Sequence, residues 1–304
     1  MLKIKSWLLR NGSLRRIRLT ACILVSLAAA NCYGAVPVET APAIQEAGDG
    51  RALSTAAEFI WSDDFFTRDP LAPWKIERIL FGQSNYALVA ENEGATRLRH
   101  FLRVTFPKGS WSPANTKRAE VPVGGLGFFA TCGIAPREQL HLRYYVRFPA
   151  NFDFVKGGKL PGLYGGTSNR GGAQPNGSDG FSARLMWRSK GDGEVYAYLP
   201  TSNSQWGSSL GRGAWRFEAG VWTLIEQQLI LNEPGKTNGS IKLWVDEKLV
   251  IDQAGLRLRD IPQLKINGIM FSTFFGGNDA SWATPITTHI DFARFALSET
   301  YIGP

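Results

Sequence analysis

A lysine set among glycines, a Ser-x-Arg pair and a Tyr-x-Tyr pair are the residues whose types and spacing suit chemistry. They are Lys159 within Val155-Lys156-Gly157-Gly158-Lys159-Leu160-Pro161-Gly162-Leu163-Tyr164-Gly165-Gly166, then Ser182 and Arg184, then Tyr196 and Tyr198. An arginine with no acid nearby in sequence suits a carboxylate ligand. A phenol serves as acid or base once its surroundings move its pKa from about 10. The hydroxyls of Ser182 and the two tyrosines can donate to and accept from a sugar. The glycine-flanked lysine is not a phosphate loop, because it lacks the Gly-x-x-x-x-Gly-Lys-Ser/Thr spacing and a following helix. Its bland alternative is a glycine-rich bulge carrying a solvated lysine.

These residues share a surface only if strands carry them. Side chains alternate along a strand, so Ser182, Arg184, Met186 and Arg188 face one way and Phe181, Ala183, Leu185 and Trp187 the other. Tyr196 and Tyr198 likewise oppose Val195, Ala197 and Leu199. The apolar sets are expected to face a core. An ordinary solvated sheet face is the competing reading of the polar sets. Directly paired residues of a hairpin point to one face, so Arg184 joins the tyrosines only if paired positions sum to an even number. The loop between the two strands must then be odd in length, or a bulge must insert one residue. The expected pairing is Arg184 with Tyr198 and Met186 with Tyr196, or that register shifted by two.

The rest of the chain reads as more strands. Candidates are 140–148, 222–231, 269–275 and 290–297, with 241–245 and 248–251 flanking Asp246-Glu247 as a hairpin. No long 3.6-residue period competes. Many short strands with Gly- and Asn-bearing turns predict an all-β, antiparallel β-sandwich of jelly-roll type, in one domain.

The 304 residues carry a formal charge of +8, but Lys3, Lys5, Arg10, Arg15, Arg16 and Arg18 precede the apolar run 21–30. That order reads as a secretory signal over residues 1–34, too short in its apolar part to span a membrane. A lipid attachment at Cys32 is the rival, poorly supported by Asn31 before it. Cleavage leaves +2, which removes the case for nucleic-acid binding. It also leaves Cys132 as the single cysteine, so no intrachain disulfide is expected. His100, His141 and His289 have no ligand-like spacing, so neither a metal nor a cofactor is expected. Residues 35–57, rich in Ala, Pro and Glu, read as a flexible linker, and 58–304 as the folded domain. The product expected is a secreted or periplasmic monomer.

The segments Lys-Gly-Gly-Lys-Leu-Pro-Gly-Leu-Tyr-Gly-Gly at 156–166, Phe-Ser-Ala-Arg-Leu-Met-Trp-Arg at 181–188 and Val-Tyr-Ala-Tyr-Leu-Pro at 195–200 together resemble polysaccharide lyase family 14. This family includes alginate and glucuronan lyases. Phe274-Phe275-Gly276-Gly277-Asn278-Asp279 resembles a further segment of it. The resemblance covers about residues 60–304. It implies a jelly roll that cleaves an anionic, uronic-acid polysaccharide by β-elimination, with alginate the leading candidate. Carried over by motif, Lys159, Ser182, Arg184, Tyr196 and Tyr198 fall on catalytic positions. Arg188, Asn278 and Trp282 are expected to bind substrate. The chemistry fits: removing the C5 proton beside a carboxylate requires that carboxylate to be neutralised, by Arg184 or Lys159. A base takes the proton and an acid protonates O4. Which of Tyr196, Tyr198 and Lys159 is the base stays open at this point. The Gly- and Asn-rich stretch 167–179 is where substrate preference is expected to vary.

Two other functions compete. A glycoside hydrolase on a lectin-like jelly roll needs paired carboxylates, and no Glu-x-Asp-x-x-Glu set occurs; Asp246 and Glu247 are adjacent and lie at a turn. A non-catalytic sugar-binding module would use platforms such as Trp206, Trp215 or Trp282 but has no need of the Lys, Arg and Tyr set.

Overall fold

The computed structural model describes residues 58–93, 97–167, 169–172, 174–202 and 206–304. The signal expected over 1–34 and the linker over 35–57 lie outside them. Two antiparallel sheets hold nearly all the regular structure. One contains β1 (Trp61–Asp63), β3 (Tyr86–Glu93), β4 (Arg97–Phe106), β6 (Gln139–Arg147), β11 (Trp222–Ile230), β12 (Gly239–Val245), β13 (Lys248–Leu256) and β15 (Thr288–Ser298). The other runs in the order β10 (Ser208–Leu210), β9 (Gly193–Tyr198), β8 (Gly180–Arg188), β7 (Gly157–Gly166), β14 (Gly268–Phe275), β5 (Leu126–Ala130) and β2 (Ile76–Phe81). This is a β-sandwich of jelly-roll type. A short helix, α1 (Pro113–Arg118), follows β4, where no helical period had been read. None of the described helices is long and apolar enough to cross a membrane.

The core lies between the sheets. Phe181, Ala183, Leu185 and Trp187 of β8 and Val195 and Ala197 of β9 meet Leu140, Leu142, Tyr144 and Val146 of β6 and Ile225 and Leu229 of β11. The alternation read from sequence therefore points inward as expected, and the opposite faces of β8 and β9 are left to build something else. Asp246 and Glu247 form the two-residue turn between β12 and β13, both with positive φ (47° and 66°), as a type I′ hairpin requires.

Sequence patterning missed β1 to β5, β7 and β10, and of these β7 matters most to the cleft. Five glycines and Pro161 argue against a strand by propensity. Packing explains them. A Cβ on Gly158 would lie 2.1 Å from the Trp187 ring, and one on Gly162 2.1 Å from the Ala183 carbonyl oxygen. Lys159 pairs with Met186 and Gly162 with Arg184, so Pro161 is the extra residue of a bulge. The opposite sheet satisfies the backbone groups around it. Gln227 accepts from Leu163 N at 3.0 Å and donates to Ala183 O at 2.7 Å, and the Tyr144 hydroxyl donates to Pro161 O at 3.1 Å. The bulge resets the alternation of β7, so that Lys159 and Gly162 both present the face that carries Arg184.

Candidate active site

Across the β8–β9 hairpin, Arg184 stands opposite Tyr196, Ser182 opposite Tyr198 and Met186 opposite Glu194. The sums are even, and the register is the expected pairing shifted by two. Trp187 and Gly193 are the last pair, which leaves an odd loop of residues 188–192. Arg184, Met186, Arg188, Tyr196 and Tyr198 therefore share the outer face of their sheet. With Lys159 from β7 and Ser272 and Phe274 from β14 they floor a cleft of approximately 760 Å³. Its rim comes from Asn115 and Lys117 of α1, from Arg170–Gly172, from Trp206, and from Gly277, Asn278 and Trp282.

Arg184 is 3% exposed. Its Nη1 donates to Ser272 Oγ at 3.2 Å, its guanidinium lies 5.5 Å from the Tyr198 ring centre, and its Nε has no partner. Among the described residues it forms no ion pair. A buried cation with an idle donor is costly unless a ligand completes it. Burial pushes its pKa down, and the charge of Arg170 adds to that, against the pull of the two tyrosines. A guanidinium stays protonated through such a shift.

Lys159 is buried rather than solvated, with Nζ 2.7 Å from Met186 Sδ and 3.2 Å from the centre of the Tyr196 ring. Burial, then the charges of Arg184 and Arg188, hold its pKa well below the lysine range; the attraction of Glu194 does not offset them. Tyr198 moves the other way. Burial raises its hydroxyl to about 12, although Arg184 opposes the rise. The rings of Tyr196 and Tyr198 meet edge to face at 5.6 Å.

Two residues expected at the site do other work in the structure. Ser182 is fully buried outside the cleft lining, and its hydroxyl donates to Asn169 O at 2.7 Å, anchoring the rim segment that carries Arg170. Arg188 lines the cleft but is engaged by Glu194, through Nε at 2.9 Å and Nη2 at 2.5 Å. Glu194 is fully buried and also accepts from Arg212 at 2.6 Å and Ser209 at 3.0 Å. Burial alone would raise its pKa; hydrogen bonds and charges from Arg188 and Arg212 outweigh that and hold it low. Asn278 and Trp282 are at the rim. Asn115 Nδ2 donates to the Asn278 carbonyl at 3.4 Å, and Trp282 packs over Gly277. Ser272, Arg170 and Lys117 escaped the sequence reading, whereas Met186 was placed on the face of Arg184 by its alternation but not counted among the site residues.

A cleft with a buried unpaired arginine, a lysine disposed to be neutral and a tyrosine disposed to stay protonated can neutralise an acid group, accept a proton and donate one. The Polysaccharide lyase 14 family model matches residues 95–295. The alginate lyase of the marine Aplysia kurodai is similar over 80% of this chain and 100% of its own, with 30% identity and a TM-score of 0.67. An alginate lyase from a Chlorella virus shares the fold at 21% identity over 74% of this chain and 100% of its own, with a TM-score of 0.59. So does an endo-β-1,4-glucuronan lyase from the fungus Trichoderma reesei, at 11% identity over 80% and 96%, with a TM-score of 0.52. Among curated proteins nothing matches the chain.

Proposed function

This chain belongs to the Polysaccharide lyase 14 family and is a polysaccharide lyase, and on that premise we propose that it cleaves a uronic-acid polymer, alginate first among them, by β-elimination. The observation that carries the substrate class is Arg184, whose idle Nε in a buried cleft suits a substrate carboxylate. Binding there stabilises the charge that builds on the carboxylate as the C5 proton leaves.

The opposed shifts of Lys159 and Tyr198 support one division of the proton steps. The Lys159 amine, disposed to be uncharged, takes the C5 proton and becomes ammonium. The C5–H electrons form the C4=C5 double bond and the C4–O4 bond breaks. Tyr198, held protonated, gives its proton to O4. Proton return from Lys159 to the phenolate resets the site. Ser182 acts as a positioning residue through Asn169, and Arg188 through its pair with Glu194. Residues 1–34 serve as an export signal and 58–304 as the catalytic domain, which suits a polymer met outside the cell.

The test is a panel of purified polyuronates followed in the ultraviolet, where the conjugated unsaturated product absorbs. Growth of that band with alginate, and its loss by roughly a hundredfold or more in a folded Arg184→Ala variant, is the expected result. Polymer cleavage without the band would indicate hydrolysis and overturn the proposal. Full turnover by Arg184→Ala would remove Arg184 from it.

A further inference from the structure

The pairing pattern places Arg184 in a row that crosses the whole cleft sheet. Arg78 of β2 pairs with Phe129 of β5, Phe129 with Met270 of β14, Met270 with Gly162 of β7, and Gly162 with Arg184. Directly paired residues share a face, so this row continues the cleft floor from the reaction centre to the sheet edge. Strands lie about 4.8 Å apart, and a uronate unit in a polymer is about one strand spacing long. A chain laid along the row therefore places about one unit over each strand.

The far end of the row is cationic. Arg78 leans inward, with its guanidinium 4.8 Å from the Phe129 ring centre, which brings its charge to about three spacings, ~14 Å, from Arg184. Arg170 stands at the rim above. The loop before it is tied down from two sides: Asn169 O accepts from Ser182, and Asn169 Nδ2 donates to Gly166 O at 2.9 Å. The charge of Arg78 is felt at Arg170, and that of Arg170 at Arg184, so the three form a continuous series. Glu77 beside Arg78 accepts from the Tyr164 hydroxyl at 3.0 Å. Among the described residues neither Arg78 nor Arg170 forms an ion pair.

Resting on the uronate-lyase reading above, we propose that Arg78 and Arg170 bind the carboxylate of a uronate unit about three units from the one held by Arg184. The cleft then grips an extended stretch of polymer, and short oligomers forfeit one charged contact.

The experiment compares kcat/KM for a uronate hexamer with that for a trimer, in the wild type, Arg78→Ala and Arg78→Lys. This ratio does not depend on how much of a variant is folded. The wild-type ratio is expected to exceed one, to fall about tenfold in Arg78→Ala, mainly through the hexamer KM, and to recover largely in Arg78→Lys. A wild-type ratio of one, or an unchanged ratio in Arg78→Ala, overturns the subsite while leaving the lyase reading standing. A wild type that cleaves no polyuronate overturns both.

Discussion

The Lys159 amine sits on the face of the Tyr196 ring, 3.2 Å from its centre. An aromatic face favours an ammonium, yet burial and two neighbouring guanidinium groups favour the free amine more. The lysine is therefore held close to a proton-accepting state by a site that resists its charge.

Replacing Lys159 with methionine should abolish turnover and stabilise the protein. In the unfolded chain the amine returns to its ordinary value of 10.5. Between the lowered folded pKa and that value the unfolded chain binds more protons, so stability rises with pH across the window, and the cost of the lysine is full below it. Lys159→Met should lose roughly a hundredfold or more in kcat and gain on the order of 1 kcal/mol, about 2–4 °C in Tm. The stability gain should shrink in alkali. Calorimetry at neutral and alkaline pH reads this; a lower Tm in the variant would show that the lysine is satisfied in the fold.

The wild-type activity should also rise through an alkaline limb displaced below the usual lysine range, because the base must be unprotonated. A pH profile of kcat/KM checks it. A limb at the ordinary lysine value contradicts the assignment of Lys159 as base.

Tyr198→Phe keeps the ring and removes the hydroxyl that burial keeps protonated. We expect kcat to fall by roughly 10²–10⁴-fold with little change in KM. Tyr196→Phe keeps the ring face beneath Lys159 and should cost less. The reverse order would move the acid role to Tyr196.

Gln227 lies in the opposite sheet, and its amide closes the backbone around the β7 bulge. Gln227→Leu strands the Leu163 N–H and the Ala183 carbonyl, at about 1–3 kcal/mol each. Thermal melts should show the loss, and kcat should fall with it, since the bulge sets the face on which Lys159 emerges. Unaltered kcat in the folded fraction would separate the bulge from the chemistry.

The parity of residues 182–188 against 194–198 was legible because one face of each strand is plainly apolar, and the odd loop followed from it. The opposite strand faces had no such contrast in β7. Its glycines answer to Trp187 and Ala183, residues distant in sequence, so patterning offered only a glycine-rich bulge with a solvated lysine where packing makes a bulged strand with a buried one. The pairing of Arg188 with Glu194 was half visible. Arg188 was read on the polar face, but the register that joins Glu194 to Met186, one step from Arg188, decides which arginine that carboxylate engages. Arg170, Lys117 and Asn115 reach the cleft from a loop and a short helix whose placement no local period encodes.

Every group assigned to the chemistry stands on β7, β8 or β9, whereas the rim is made of loops and one short helix. Inherited change falls unequally on such a plan. A substitution within the three strands disturbs a pleat shared with the core, and its cost is felt throughout the sandwich. A rim loop can lengthen, shorten or trade side chains with small effect on that pleat. A lineage built this way is free to change its diet while its reaction stays fixed.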